Sequence, residues 1–270
     1  MKIIFKWLAA TMVSIVAVTG CKKIEVDQGF TTFGQIYFYA DQTASYLAGH
    51  LQVKYNGHPI DIQGGTGLIR VPEGEAKFEF CDNRTDELLG EKWVAIVPGS
   101  PVKYTLFQPT ENDPIALLDP NGQAGEEAAA EGFMKIKIAN YATDLLPRDL
   151  DVVVLGLNIN METVELATLE NVSDNLGEED YRLVPTGGSN ILAYTFKFRD
   201  RNTQAFVKAD RGDDYWSPNF FLYPDIISPF PEKRVYTIYL KTYETSVEYE
   251  LFIKSGGKYY EIIPEILYAD

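Results

Sequence analysis

Apolar and polar residues alternate with a period of two through most of this chain, the spacing of strands that bury one face. Gln35-Ile36-Tyr37-Phe38-Tyr39, Leu51-Gln52-Val53-Lys54-Tyr55, Leu68-Ile69-Arg70-Val71, Ala76 to Phe80, Trp93 to Val97 and Val102 to Phe107 read as strands of a first half. Asn56-Gly57-His58-Pro59, Gly64-Gly65, Pro72-Glu73-Gly74 and Pro98-Gly99-Ser100-Pro101 supply turns between them. The pattern stops between Thr110 and Gly132, where Asp119-Pro120-Asn121-Gly122 is a turn and Gly125 to Gly132 is rich in Ala and Glu. It resumes at Met134 to Ile138 and Leu150 to Leu155. Ile191 to Phe198 and Gln204 to Lys208 then face each other across Arg199-Asp200-Arg201-Asn202 as a hairpin. Val235 to Tyr243, Val247 to Ile253 and a tail from Tyr259, entered through Ser255-Gly256-Gly257-Lys258, complete the set. Asn171 to Asp180 is the one stretch with any helical candidacy, and its polarity makes it a loop.

Seventeen tyrosines and fifteen phenylalanines favour strands over helices. Short strands at this spacing, twice over, predict an all-β chain of two antiparallel Ig-like β-sandwich domains in tandem. The expected divisions are residues 1–20, 21–30, 31–110, 111–132 and 133–270: leader, tether, first sandwich, linker and second sandwich. The halves also look alike. Each opens on a strand after Gly or Phe (Phe33-Gly34-Gln35-Ile36; Gly132-Phe133-Met134-Lys135-Ile136), and each carries a Tyr-Thr strand near its end.

The N-terminus has its own logic. Lys2 and Lys6 precede a mostly apolar run from Trp7 to Val18, too short and too interrupted by Thr11 and Ser14 to span a bilayer. Val18-Thr19-Gly20-Cys21 follows and resembles the lipobox of bacterial lipoproteins. The resemblance implies that Cys21 becomes the mature N-terminus and carries lipid through its thiol, with several acyl chains giving stable anchoring. It places the protein in the cell envelope, lipid-anchored at the outer membrane, with the surface and periplasmic faces both open.

Removing residues 1–20 takes away Lys2 and Lys6, leaving 22 basic against 39 acidic residues, a net of −17. Such a surface repels nucleic acid and anionic lipid. The expected partners are the membrane, through the lipid, and a glycan or an envelope protein, with no nucleic acid and no cofactor. With Cys21 consumed by lipid, Cys81 has no partner for a disulfide, and it reads as a small core residue.

Met134-Lys135-Ile136-Lys137-Ile138-Ala139-Asn140-Tyr141-Ala142, followed by Leu150-Asp151-Val152-Val153-Val154 and a later Tyr-Thr strand, resembles a group of uncharacterised two-domain β-sandwich lipoproteins of Bacteroidetes-type bacteria. These are generic strand features that cover mainly the second half. The resemblance implies fold and location, and it brings no catalytic residues with it.

Most signatures of catalysis are absent: there is no Gly-x-Ser-x-Gly elbow, no His-Glu-x-x-His helix and no phosphate loop, while 39 acids leave a carboxylate pair open. His50 and His58 are the only histidines, too few for a His-rich metal site, and both read as surface residues. Asp210-Arg211-Gly212-Asp213-Asp214 sets Asp210, Asp213 and Asp214 around a turn, a candidate for calcium. The spacing is not that of an EF-hand and Arg211 opposes a cation, so a solvated turn is the main reading. Tyr215-Trp216-Ser217-Pro218-Asn219-Phe220-Phe221-Leu222-Tyr223-Pro224 is an aromatic-rich, Pro-kinked loop beside acids. Tyr215, Trp216, Asn219 and Tyr223 are the candidates for a sugar platform, with core filling as the competing role. Trp93, inside an apolar strand, is expected in the core. The expected function is a non-catalytic binding or structural accessory module that takes a glycan. The alternatives are a fimbrial-type assembly subunit or adhesin and, behind it, a hydrolase using two carboxylates.

Overall fold

The computed structural model describes residues 32–62, 66–119, 122–217 and 233–269. Cys21, the leader and the tether lie outside the described residues. The chain is all-β. In the first half β1 (Phe33–Tyr39) is followed by the single-turn helix α1 (Ala44–Leu47), β2 (Leu51–Tyr55), β3 (His58–Ile60) and β4 (Thr66–Pro72). Then come β5 (Gly74–Asp82), β6 (Leu88–Ile96), β7 (Val102–Phe107) and β8 (Ala116–Leu118). The second half holds β9 (Phe133–Asn140), β10 (Leu150–Asn158), β11 (Thr163–Val172) and β12 (Arg182–Pro185). It ends with β13 (Ile191–Asp200), β14 (Val235–Thr245), β15 (Ile253–Ser255) and β16 (Lys258–Ala269).

The sheets run β4-β1-β7-β8 and β3-β2-β5-β6 in the first half, and β12-β9-β14-β16-β15 and β11-β10-β13 in the second. The strand order matches between the halves, except that β15 adds an edge strand beyond β16 in the second. The opening strand pairs antiparallel with the fourth (β1 with β4, β9 with β12) and parallel with a late one (β1 with β7, β9 with β14). The place of β6 in the second half is taken by residues 206–216, which bridge to β13 at Arg199↔Phe206 and Lys197↔Trp216.

The likeness extends to single bonds. Phe33 lies opposite Pro72 and Phe133 opposite Pro185. In each half the residue after that proline donates its N–H to the carbonyl before that phenylalanine: Glu73 to Thr32 at 2.8 Å, and Thr186 to Gly132 at 2.9 Å.

This order corrects the immunoglobulin expectation. An immunoglobulin sheet pairs its first strand with its second, whereas here β1 and β2 sit in different sheets. The β1–β7 and β9–β14 pairs are parallel, so the sandwiches are not purely antiparallel.

Alternation in the strands builds two separate cores. Ile36, Phe38, Val53, Phe78, Phe80 and Leu106 centre the first, with Phe38 edge-on to Phe78 (5.0 Å) and Phe80 (5.6 Å). Ile136, Ile138, Val152, Phe196, Phe198 and Ile238 centre the second. Cys81 is buried, as its size and flanks suggest.

Three expectations shift. Residues 111–118, read as linker, include Ile115 of the first core and the edge strand β8. Val247 to Phe252 forms no strand, and only Ile253–Ser255 pairs with β16. Trp93 is 59% exposed, because Val94 and Ile96 take the inward positions of β6 and parity turns Trp93 out.

Candidate functional site

Strands β1 and β7 run toward the junction between the halves, and so do β9 and β14. At their ends Phe107 packs edge-on against Tyr239 (5.0 Å) and Tyr141 (5.5 Å). The halves therefore meet through the same pole of each, and the chain between them must return along the outside of the second sandwich. It does so with Gln123, buried, donating its amide to Thr237 Oγ1 at 2.8 Å. Ala129 N donates to the Lys233 carbonyl (2.8 Å), and Tyr268 donates its hydroxyl to Asp119 O (2.8 Å).

Beside the aromatic junction lies a solvent-open cleft of about 630 Å³. Ala44 and Pro109–Asn112 line it from the first half; Tyr141, Thr143, Asp144, Lys241, Thr242, Glu244 and Tyr260 line it from the second.

Its walls are fixed by buried polar groups. The Gln108 side chain, 1% exposed, accepts from Ser45 N (2.9 Å) at the start of α1 and donates to Asp113 O (2.8 Å). Asp113 in turn accepts from Thr110 N (3.1 Å) and Oγ1 (2.7 Å), so the 109–113 wall is stapled to the helix. On the other side Asn140, also buried, accepts from Ala142 N (3.1 Å) and donates to Pro147 O (3.3 Å). That shapes the turn carrying Tyr141, Thr143 and Asp144.

Deep in the junction the Tyr239 hydroxyl donates to Glu265 Oε2 (2.8 Å) and lies against the Gln42 amide. Burial, with the Glu265 charge adding to it, pushes the Tyr239 hydroxyl well above its ordinary range, so it stays a donor. Burial also raises Tyr141, whose oxygen accepts from Leu176 N at 3.3 Å.

At the rim, Thr242 donates to Asp144 Oδ1, Lys258 pairs with Glu244 (2.8 Å), and Lys241 pairs with Glu265. Arg84 reaches Glu111 at 3.5 Å. Lys258 and Arg84 offset Glu244 and Glu111, so the rim carries little net charge and offers no cluster of free cations to an anion. Two tyrosine rings with hydroxyl, amide, carboxylate and ammonium groups around them suit a neutral ligand with many hydroxyls.

The residues expected from the sequence sit elsewhere. Tyr215 is 1% exposed, stacked on Phe198 at 6.0 Å with its oxygen accepting from Ile262 N (2.8 Å). Its ring face is core, which removes it from any platform. Trp216 is half-buried and bridges to Lys197. Asn219 and Tyr223 lie outside the described residues.

Asp210, Asp213 and Asp214 do not converge, which corrects the calcium candidate. Asp210 accepts from Tyr259 (3.0 Å), Asp213 pairs with Arg211 (2.5 Å), and Asp214 is bracketed by Lys208 (2.6 Å) and Lys197 (3.1 Å). Lys208 foremost, with Lys197, holds Asp214 below the usual carboxylate range against the effect of burial. Among the described residues no group of three or more His, Cys, Asp or Glu could hold a metal ion. His50 and His58 belong to the first sandwich and do not line the cleft.

Sequence reasoning passed over Tyr141, Asp144, Lys241 and Tyr260. The only signal was indirect: Tyr141 closes the Asn140-Tyr141-Ala142 end of a strand.

No protein-family model matches this chain, and no curated protein matches it. Among solved structures, the chain is similar to family 41 carbohydrate-binding modules from streptococcal virulence factors, described for alpha-glucan recognition. That match has 13% identity over 77% of this chain and 94% of the other, at a TM-score of 0.23. A streptococcal virulence factor described for alpha-glucan binding is similar at 12% identity over 78% and 93%, with a TM-score of 0.24. At that level of superposition neither the glucan nor its site transfers to this chain.

Proposed function

We propose that this protein is a lipid-anchored, non-catalytic binding module of the cell envelope that takes a neutral glycan in the cleft between its two sandwiches. The observation that carries the reading is the cleft itself: about 630 Å³, walled by both halves, with Tyr141 and Tyr260 amid polar side chains. Aromatic faces suit the apolar faces of sugar rings, and the surrounding groups suit their hydroxyls.

A non-catalytic role is favoured by the state of the carboxylates. Asp144 is taken up by Thr242, Glu244 by Lys258 and Glu111 by Arg84, and no histidine lines the cleft. Anchoring rests on Val18-Thr19-Gly20-Cys21 after a positively charged, apolar leader. No helix among the described residues is long and apolar enough to cross a membrane. Two measurements test the reading. Mass spectrometry of the mature N-terminus must find acyl groups on Cys21. Titration of neutral oligosaccharides into soluble protein starting at Lys22 must show binding that Tyr260→Ala weakens.

A further inference from the structure

The junction occupies one pole of the first sandwich, and among the described residues nothing from the second sandwich reaches its opposite pole. That opposite pole is built from the start of β1, the β4–β5 turn and the loop after β6. Its tips carry four exposed apolar residues, Phe33 (54% exposed), Val97 (57% exposed), Pro72 and Pro101, with Glu73 the one carboxylate at the β4–β5 tip, tied back to Thr32. Their proximity is set by the sheets. Phe33 lies opposite Pro72, and a Cβ added to Gly34 would come within 2.4 Å of Ile96 Cγ2 and 2.9 Å of Val97 O. The two sheets thus close on each other here with no room for a side chain.

The chain enters at this pole. Ten residues, eleven Cα–Cα steps, separate Cys21 from Thr32, the first described residue. Whatever its conformation, a chain of that length spans at most about 40 Å. A lipid on Cys21 therefore holds this pole within one tether length of the bilayer. The junction cleft lies at the far pole of the same sandwich, and the second sandwich beyond that.

We propose that this pole, through Phe33 and Val97, is a membrane-contact surface that rests in the headgroup region of the bilayer. The inference rests on the reading of Cys21 as lipidated. The net charge of −17 argues against recruitment of the free protein to an anionic surface, so the contact forms only under the tether. There a short linker supplies an effective concentration in the millimolar range. The geometry has a functional consequence: the tether end of the molecule faces the lipid and the glycan cleft is held off it.

The test uses the lipidated full-length chain in phosphatidylcholine vesicles, with Cys81→Ser as background. An environment-sensitive fluorophore is placed in turn at Phe33→Cys, Val97→Cys and Met161→Cys. Met161 is 70% exposed in the β10–β11 turn, at the pole of the second sandwich away from the junction. Brominated lipids are expected to quench the labels at 33 and 97 several-fold more than the label at 161. Soluble protein starting at Lys22 should show no quenching at any site. Equal, weak quenching at all three positions with acylated Cys21 confirmed by mass overturns the contact while leaving anchoring intact. An unmodified Cys21 overturns both.

Discussion

Phe107 and Tyr239 meet edge to face, ring centroids 5.0 Å apart at 80°, and theirs is the central contact between two sandwiches with separate cores. Phe107 is 5% exposed although it belongs to the outer face of its own sheet, so it is the second half that buries it. Tyr239, 1% exposed, stands in the mirrored situation on β14.

Phe107→Ala should therefore act on the coupling of the halves more than on either core. Truncating a buried phenylalanine costs about 3–5 kcal/mol. Here the loss should fall on the junction, so that calorimetry resolves two unfolding transitions in place of one. A single transition shifted downward would mean that the ring supports the first core instead.

Acid stability should depend on Asp151. It is 2% exposed and opposed by its own burial, yet Asn171 N (3.1 Å), Arg199 (2.9 Å) and Arg201 (3.2 Å) together hold its carboxyl below the usual range. A lowered folded pKa means stability that is present above the unfolded value of about 3.9 and lost as pH falls through the folded one. Asp151→Asn should cost roughly 2–3 kcal/mol at pH 7, less than a fully buried pair because Arg201 is 40% exposed. It should also flatten the fall in stability below pH 4. Urea titrations at pH 7, 4 and 3 compare the slopes directly.

Tyr215 and Trp93 exchange the roles that their neighbours in sequence suggest. Tyr215→Ala should lose about 3–5 kcal/mol, since it opens a cavity against Phe198 and strands the Ile262 N–H. Trp93→Ala should change stability by no more than about 0.5 kcal/mol, as surface substitutions do. Chemical denaturation of the two variants decides it, and a large loss at Trp93 would contradict its exposure.

Much of this fold was legible. Strands with clean alternation, such as Gln35 to Tyr39 and Val102 to Phe107, lie within β1 and β7, and Gly256-Gly257 makes the tight turn before β16 with both residues at positive φ. β11 escaped notice because its residues are largely exposed on an edge strand, so Thr163 to Val172 carries charge where a core strand would not. Trp93 was misplaced by composition, although the inward parity of Val94 and Ile96 was already in the pattern. Val247 to Phe252 has strand-like residues but no open partner, because β14 pairs directly with β16.

The cleft was not legible for a different reason. Its walls come from short segments more than 200 residues apart in sequence, from Ala44 to Tyr260. They are ordinary polar residues and tyrosines whose common location depends on how two sandwiches dock. No local pattern encodes that.

The most direct measurement of the central claim is a binding titration of neutral oligosaccharides, preselected on a glycan array, against soluble protein starting at Lys22 and its Tyr260→Ala variant. Saturable binding that Tyr260→Ala weakens about tenfold, equivalent to about 1.4 kcal/mol, is expected, with the thermal midpoint essentially unchanged. Binding of equal strength by the two folded proteins, or none by either, would contradict a glycan site between the sandwiches.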